Sequence, residues 1–392
     1  MKRAMSKLIF ILVFVGALVE SCHTQSPSPS QTPLFAPAPG SSFAVGIRPV
    51  DVAVGEVNGD GKLDILTANA GSNDATVLLG NGKGDFTAAP NSPLAAGAAP
   101  HLVSLADFNR DNKPDFALTG HDSYNVMVWL GNDRGSFTSA PDSPFTVLNE
   151  TRPHNHGLVI GDVNNDGNLD LATSNHGHNS VSVLLGNGKG NFTPAAGSPF
   201  TVGRGPYPLA VADLNQDSKL DLVTPNVASN NVTVLLGDGN ASFTAAAGSP
   251  YPVLNRPYNV AIGEINGDAK LDLIITHDDI NDMTILWGDG NGGFQRAPNS
   301  PYNLGRRGYK VIIVDVSNDA KKDLIVSHPL SSRNVTVLLN DGSGGFAAAP
   351  GSPFSAGSEP NSMAIGDMNG DGKLDIVAAN FAGNDVTILL GK

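Results

Sequence analysis

Only one cysteine, Cys22, occurs among the 392 residues, and a single thiol excludes a disulfide within the chain. Charged residues make up 16% of the sequence and aromatic residues 6%, and helix-favouring stretches are scarce after the first twenty residues. The longest apolar run, from Leu8 to Val19, is shorter than the roughly 20 residues that a membrane-spanning helix needs. A folded domain of this chain must be stabilised without disulfides, and bound metal is an obvious candidate.

The N-terminus has the pattern of an export signal, with three basic residues in the first seven positions followed by the short apolar run. Cys22 comes next in VESC, which resembles a bacterial lipobox, although Glu20 is unusual there. The alternative is cleavage elsewhere, which would leave an unmodified thiol. We predict a lipoprotein-like signal peptide over residues 1–21, lipidation of Cys22 and a disordered Ser/Pro tether over residues 22–33. The protein is then exported, either as a cell-envelope lipoprotein or by secretion.

Short Val, Ile, Leu and Thr runs separated by Gly, Asn and Asp dominate the rest, which is typical of an all-β protein. One acidic loop recurs seven times, most clearly as DVNNDGNLD and DMNGDGKLD. Steps of 51 to 55 residues separate the fifth-position aspartates, which are Asp60, Asp111, Asp166, Asp217, Asp268, Asp319 and Asp371. Such a regular period predicts repeats that bury their cores against their neighbours.

Each repeat contains four short strand patterns, so seven repeats predict a seven-bladed β-propeller of four-stranded antiparallel blades over residues 34–392. The last repeat stops at VTILLGK, where its fourth strand should begin. The missing pattern lies near the N-terminus, since FAPAPGSSFAVG from Phe35 matches FAAAPGSPFSAG from Phe346. We expect the N-terminal strand, at about residues 34–46, to complete the last blade and to close the ring without an open sheet edge.

The loop pattern D-x-N-x-D-G-x-x-D offers oxygen ligands at alternate positions of a tight turn, as a calcium site requires. It offers no nitrogen or sulfur ligand, which argues against zinc or copper, and the strand that follows excludes an EF-hand. One copy could be only a hairpin turn, but the seven copies hold 21 of the 37 acidic residues. Without a cation, the three carboxylates of each loop would repel one another.

We therefore predict up to seven structural calcium ions. Position seven of each loop contributes its backbone carbonyl. The candidate ligands are Glu56, Asn58, Asp60, Lys62, Asp64, Asp107, Asn109, Asp111, Lys113, Asp115, Asp162, Asn164, Asp166, Asn168, Asp170, Asp213, Asn215, Asp217, Lys219, Asp221, Glu264, Asn266, Asp268, Lys270, Asp272, Asp315, Ser317, Asp319, Lys321, Asp323, Asp367, Asn369, Asp371, Lys373 and Asp375.

The seven loops are not equivalent. Position six needs a left-handed backbone, which suits the glycines in three loops and strains Ala269 and Ala320. The sixth loop also has Ser317 where the others have asparagine. We predict that the sixth loop binds calcium most weakly.

These loops, together with the segment VLLGNGKGNF from Val183, resemble FG-GAP or VCBS-type repeats. Such repeats build the propellers of integrin α-subunits and of many bacterial exported proteins. The resemblance covers residues 34–392 and implies that the calcium is structural. It does not specify a function, because the family includes adhesins, lectin-like proteins and enzymes.

In a propeller, the start of the strand nearest the centre and the end of the second strand lie on the same face, opposite the calcium loops. The residues at these positions differ from repeat to repeat. Arginine, histidine and tyrosine replace one another at these positions. The candidate ligand-binding residues are Arg48, His101, His121, His154, His156, His176, Arg204, Tyr207, Arg256, Tyr258, His277, Arg307, Tyr309 and His328. Four extra residues around His154 and His156 make that repeat the longest, and insertions on one face of a repeat protein often bind ligands.

Three interpretations of this mouth remain open: a solvated polar rim, a funnel for an anion or sugar, and a transition-metal or acid–base site among the histidines. The sequence contains no recognisable catalytic motif, and we assign no catalytic residue. We therefore predict an extracellular adhesion or binding propeller for a carbohydrate or protein; the alternative is a polysaccharide lyase or dehydratase acting at the same mouth. We expect a monomer that contacts a membrane only through an N-terminal lipid and does not bind nucleic acid.

Overall fold

The computed structural model describes residues 32–151, 153–329 and 333–392. The predicted signal peptide, the lipidation site Cys22 and most of the predicted tether lie outside the described residues. No helix in the described part of the chain combines the length and apolar character needed to cross a membrane. A single turn of 3-10 helix, His176–His178, is the helical segment found there.

Seven antiparallel sheets arranged in a ring confirm the predicted seven-bladed β-propeller. The innermost strands are β3 (Pro49–Gly55), β8 (Pro100–Ala106), β13 (Val159–Gly161), β18 (Ala210–Ala212), β23 (Pro257–Gly263), β28 (Val311–Val314) and β33 (Pro360–Gly366). The second strands are β4 (Asp64–Asn69), β9 (Asp115–Gly120), β14 (Asp170–Asn175), β19 (Asp221–Asn226), β24 (Asp272–His277), β29 (Asp323–His328) and β34 (Asp375–Asn380). The third strands are β5 (Asp74–Gly80), β10 (Asn125–Gly131), β15 (Ser180–Gly186), β20 (Asn231–Gly237), β25 (Asp282–Gly288), β30 (Asn334–Asn340) and β35 (Asp385–Gly391).

The fourth, outer strand of every blade is divided into two short pieces that both pair with the third strand. The first pieces are β1 (Phe35–Pro37), β6 (Phe86–Ala88), β11 (Phe137–Ser139), β16 (Phe192–Pro194), β21 (Phe243–Ala245), β26 (Phe294–Arg296) and β31 (Phe346–Ala348). The second pieces are β2 (Phe43–Ala44), β7 (Leu94–Ala95), β12 (Phe145–Thr146), β17 (Phe200–Thr201), β22 (Tyr251–Pro252), β27 (Tyr302–Asn303) and β32 (Phe354–Ser355).

The ring closes as predicted, because the N-terminal segment supplies the outer strand of the last blade. Strand β1 pairs with β35 in the register Phe35 to Gly391, and β2 pairs with the other end of β35. The Lys392 backbone N–H also donates a hydrogen bond of 2.9 Å to the Leu34 carbonyl. The seam between the first and last blades therefore leaves no unpaired edge on β35.

The hydrophobic cores lie between neighbouring blades. Every residue of each second strand is buried, since this strand is covered on both faces by the adjacent sheets. Leu66 and Val77 of the first blade, for example, share a core cluster with Phe116 and Leu118 of the second. A propeller blade thus buries its apolar residues only when its neighbours are present.

The strand register separates two faces of the propeller. In the first blade, Gly55 lies opposite Asp64 at one end of the strand pair, and Pro49 lies opposite Asn69 at the other. The acidic loop joins the strands at the Gly55 end. The start of the innermost strand and the end of the second strand consequently share the opposite face, as predicted.

Candidate functional site

The seven acidic loops join the first and second strands, and in each of them the position-one carboxylate accepts a hydrogen bond from the backbone N–H of position five. In the third loop, the Asp162 carboxylate accepts hydrogen bonds from the backbone N–H groups of Asp166 and Gly167, at 3.2 and 2.7 Å. The Asn164 side-chain oxygen also accepts from Asp166, and the Asp166 carboxylate accepts from the Asn168 N–H. The oxygen-bearing side chains of positions one, three and five therefore all turn toward the backbone of their own loop.

The last aspartate of each loop is buried as the first residue of the second strand. Asp170 accepts hydrogen bonds from the backbone N–H groups of Val163 and Gly186, at 2.9 and 2.8 Å, which ties the loop to the third strand. Burial raises the pKa of the Asp170 carboxyl to about 6, because the carboxylate loses hydration. A cation beside it would favour the ionised form, and the oxygen-only donor set fits calcium.

Position seven is lysine in six loops, and in five of them its ammonium group lies 3.3 to 4.0 Å from the position-five carboxylate. These are surface ion pairs, which contribute little to stability. They leave the position-seven backbone carbonyl as the predicted ligand. In these five loops the lysine therefore neutralises part of the negative charge of the carboxylates.

All seven loops have the positive φ predicted at position six, including Ala269 at 62° and Ala320 at 67°. The sixth loop has Ser317 at position three and lacks the hydrogen bond that the position-three asparagine accepts from position five in the other six loops. No trio of loop carboxylates in the described chain has oxygens all within 4.8 Å of one another. Calcium binding would therefore require the exposed carboxylates to draw together.

Eight rings from five consecutive blades meet on the opposite face, and we call them the aromatic arc. They are His101, His121, His154, His156, His176, Tyr207, Tyr258 and Tyr309. The ring centroids of neighbours in this network lie 3.7 to 5.5 Å apart. The structure therefore brings eight of the fourteen predicted mouth residues into one continuous set of contacts.

His154 lies at the centre of the histidine end of the arc. Its ring centroid is 4.4 Å from those of His121 and His156 and 4.3 Å from that of His176. Donor nitrogens of His121, His154 and His156 all lie within 4.8 Å of one another. The four-residue insertion in the third repeat thus supplies the side chain that links the histidines of two blades.

Burial determines the charge of these histidines. It lowers the pKa of His101 to about 3, that of His154 to about 4 and that of His156 well below the ordinary value, and repulsion from neighbouring histidines adds to the effect. The three rings are consequently neutral near pH 7. Each retains a nitrogen lone pair that could accept a proton or bind a metal.

Asp122 is a site residue that the sequence analysis missed. Its carboxylate lies 2.6 Å from Nδ1 of His121 and orients that ring. Its position next to His121 in the sequence was the only available signal. His178 lines a groove next to His154, but its ring contacts Tyr124, whose hydroxyl lies 2.7 Å from Nδ1 of His178.

The tyrosine end of the arc closes the centre of the propeller. Tyr207 stacks on His156 with a centroid distance of 4.1 Å, and Tyr258 and Tyr309 lie 3.7 Å apart. Burial raises the pKa of all three tyrosines, so their hydroxyls stay protonated near neutral pH. The remaining central cavity, lined in part by Val50 and Asn361, has a volume of about 30 Å³. That volume holds roughly two water molecules, so a sugar would have to lie across the mouth.

The four predicted arginines, Arg48, Arg204, Arg256 and Arg307, are all exposed. Arg256 makes two hydrogen bonds to Asp278, at 2.7 and 2.6 Å, so its charge is already paired. Arg48 lies over the Phe381 ring, and Arg204 donates to the Ala228 carbonyl at 3.3 Å. These side chains form a rim around the arc rather than a single cluster.

His277 and His328 do not join the mouth, contrary to expectation. Both are fully buried and end the second strands of the fifth and sixth blades. Their Nδ1 atoms lie 2.8 and 2.7 Å from the backbone carbonyls of Asn255 and Arg307, and their Nε2 atoms lie 3.0 and 2.8 Å from threonine hydroxyls. With both ring nitrogens engaged, these histidines hold neighbouring strands together instead of offering a nitrogen to a ligand.

The corresponding position is asparagine in four other blades: Asn69, Asn175, Asn226 and Asn380. We therefore expect His277→Asn and His328→Asn to cost less stability than the alanine variants. Alanine leaves a cavity and unpaired polar groups, which together should cost about 2–4 kcal/mol per site. Chemical denaturation of the two pairs of variants measures the difference, and an asparagine variant as unstable as its alanine counterpart would contradict this role.

The same histidines should make stability depend on pH. Burial lowers the pKa of His277 and His328 to about 4, whereas an unfolded histidine titrates near 6.5. Their contribution is complete above pH 6.5 and is lost as the pH falls toward 4, because the unfolded chain takes up protons first. Each can account for about 3 kcal/mol of this acid sensitivity. The double asparagine variant should lose less stability than the wild type between pH 7 and about 4.

Comparison with known proteins is consistent with this architecture. The sequence matches the family described as FG-GAP-like repeat over residues 56–118, 107–173, 162–224, 265–326 and 315–378, which together span more than half of the chain. Human cartilage acidic protein 1 is 22% identical over 219 residues, which are 52% of this chain and 33% of that protein. The chain thus matches about a third of the length of this relative.

Several solved structures share the fold at low sequence identity. A structure of BBS1N in complex with ARL6DN superposes with a TM-score of 0.63 at 13% identity, covering 92% of this chain and 98% of that one. A lectin from Agrocybe aegerita that recognises non-reducing terminal N-acetylglucosamine has a TM-score of 0.53 at 22% identity, covering 84% and 85%. A streptogramin B lyase has a TM-score of 0.59 at 11% identity, covering 93% and 100%. At these identities the similarity shows the fold alone.

Proposed function

Because the chain belongs to the FG-GAP-like repeat family and folds as a seven-bladed β-propeller, we propose that it is an exported binding protein stabilised by calcium in its acidic loops. It recognises a carbohydrate or a protein at the mouth on the opposite face. One observation carries this proposal: the repeats agree in their strands and loops but differ where eight rings meet at the mouth. The residues that the repeats share are needed for stability, whereas ligand binding is the simplest reason for the residues that differ at the mouth.

The chemistry of the mouth suits a ring-bearing or anionic ligand. Aromatic faces stack on sugar rings, and arginine pairs with carboxylate or sulfate in a bidentate geometry. Arg48, Arg204 and Arg307 are exposed around the arc. The narrow central cavity directs such a ligand across the mouth. The sugar-recognising propeller from Agrocybe aegerita supports carbohydrate as the first class to examine.

A glycan array in calcium-containing buffer tests this proposal, with neutral, uronic-acid and sulfated glycans represented. We expect selective binding that weakens in Arg204→Ala and Tyr207→Ala. Lys83→Ala, in the exposed hairpin between β5 and β6, is the matched control and should bind as the wild type does. Binding that survives both mouth substitutions would contradict the proposed site. An array without any hit, followed by failure to bind any protein partner, would contradict the function.

The second candidate is an extracellular polysaccharide lyase or dehydratase at the same mouth. The favouring observation is that a neutral, buried His156 stacks on Tyr207 beside the arginine rim. A neutral histidine could abstract the proton next to a sugar carboxylate, while arginine stabilises the developing negative charge. An ultraviolet assay for unsaturated products from uronic-acid polymers separates the two functions. Turnover that is lost in His156→Gln would favour the enzyme, and binding without turnover favours the binding protein.

A further inference from the structure

We propose that His121, His154 and His156 form a binding site for a borderline transition-metal ion such as Zn²⁺, Co²⁺ or Ni²⁺. This site is separate from the acidic loops, which lie on the other face of the propeller. It does not depend on whether the mouth binds a carbohydrate or a protein. Imidazole nitrogen is a preferred ligand of these ions and a poor ligand of calcium.

The spacing of the three rings supports the site. Their donor nitrogens all lie within 4.8 Å of one another. Around a tetrahedral zinc ion with bonds of about 2.0–2.1 Å, the nitrogens would lie roughly 3.3 Å apart. Metal binding would therefore require the three rings to turn their nitrogens closer together. No other trio of histidine, cysteine or carboxylate side chains in the described residues meets this spacing.

Unpartnered polar atoms at the same place point independently to a missing ligand. His156 is only 4% exposed, and neither of its ring nitrogens has a hydrogen-bond partner among the described residues. The adjacent Asn155 is fully buried, and neither polar atom of its side chain has a partner there. Buried polar groups are almost always satisfied, and each exception requires a bound ion, a water molecule or a functional reason. A metal ion would satisfy a nitrogen of His156 directly.

Asp122 provides the supporting contact that metal-binding histidines usually have. Its carboxylate is 2.6 Å from Nδ1 of His121. A hydrogen bond from Nδ1–H to this carboxylate leaves the lone pair on Nε2 and makes that nitrogen a better ligand. Asp122 is exposed and lies outside the histidine cluster, so its role is to position His121.

Three protein ligands leave a fourth coordination position for water or an anionic group. His154 faces an open groove that is also lined by Thr151, Pro153, Gly177 and His178. The groove gives the fourth position access to solvent. An exogenous carboxylate could therefore bind to the metal from this side.

Cobalt titration of the untagged chain tests the site. The protein is stripped of transition metals and kept in excess calcium, so that the acidic loops do not take up the probe. We expect one Co²⁺ per chain, with the visible absorption bands of tetrahedral coordination, and displacement by Zn²⁺. Added acetate should shift these bands. If the chain does not bind one equivalent of Co²⁺, the proposed site is wrong. If acetate does not shift the absorption bands, the fourth coordination position is not open to an added ligand.

Variants distinguish the proposed ligands from general metal affinity. His121→Ala and His154→Ala should abolish the cobalt bands, and Asp122→Asn should weaken cobalt binding roughly 10–100-fold. His328→Asn is the matched control, because it removes a histidine that contacts no member of the trio. Far-ultraviolet circular dichroism in calcium verifies that each variant is folded. Cobalt binding that is unchanged in a folded His154→Ala variant would refute the assignment.

Discussion

A chain that lacks residues 34–46 is expected to lose most of its folding free energy. The deleted segment covers both ends of β35, and its Phe35 and Phe43 pack edge-on against Phe354 and Phe86, with centroids 5.4 and 5.2 Å apart. Truncating one buried phenylalanine costs about 3–5 kcal/mol, and a domain has only about 5–15 kcal/mol in total. Denaturant unfolding, followed by circular dichroism and tryptophan fluorescence, should show a transition at far lower denaturant concentration or none.

A circular permutant provides the matched control. Lys392 and Leu34 are already joined by a backbone hydrogen bond, and the first blade links the same two strand positions through the hairpin that contains NGKGD. Moving residues 34–46 behind Lys392 through such a hairpin should restore the transition of the intact chain. A truncated chain that unfolds like the intact one would contradict closure of the ring by this segment.

Removal of calcium is expected to have the second large effect. A ligand present at 100 times its dissociation constant stabilises the folded state by about 2.7 kcal/mol per site. Three occupied loops would then contribute about 8 kcal/mol, which is comparable to the whole stability of an ordinary domain. Chelation with EGTA should therefore lower the unfolding temperature strongly, and calcium but not magnesium should restore it. An unfolding temperature that EGTA does not change would refute a structural role for calcium.

Single loops can be compared at position five. Asp166→Asn should remove one bound calcium ion, whereas Asp319→Asn in the sixth loop should have a smaller effect, because Ser317 replaces the asparagine that accepts a hydrogen bond from position five in the other loops. Ala320→Gly should strengthen the sixth loop by about 1 kcal/mol, since glycine tolerates the φ of 67° that strains alanine. Calorimetric calcium titration measures all three. Equal calcium loss in the two asparagine variants would contradict the ranking.

The architecture could be predicted from the sequence because it follows from local patterns repeated seven times. Asp170, the ninth residue of its loop, marks both the end of the turn and the start of the second strand, and the match between the segments from Phe35 and Phe346 identifies the closing strand. The positive φ at Ala320 followed from its equivalence to glycines in other loops. Seven copies of one local pattern therefore made the propeller predictable, whereas a single copy would not have done so.

The site itself could be predicted only in part. The sequence indicated the face and its histidines, but it treated His277 and His328 like His154, although the first two have both ring nitrogens engaged and the third does not. It also gave no reason to select Asp122, whose carboxylate reaches His121 only through the turn after β9. A histidine acts according to the groups around it, and these come from different strands and blades.

The sequence by itself therefore determined the number of blades, the closing strand and the two faces, because each depends on spacing within a repeat. Only the tertiary structure decided which of the mouth residues meet. The contact of His154 with His121 and His156 requires an insertion in one blade and a strand end in another, and no pattern along the chain specifies the distance between them. The same packing buries His156 away from hydrogen-bond partners, and it is this burial that turns a variable position into a candidate metal ligand.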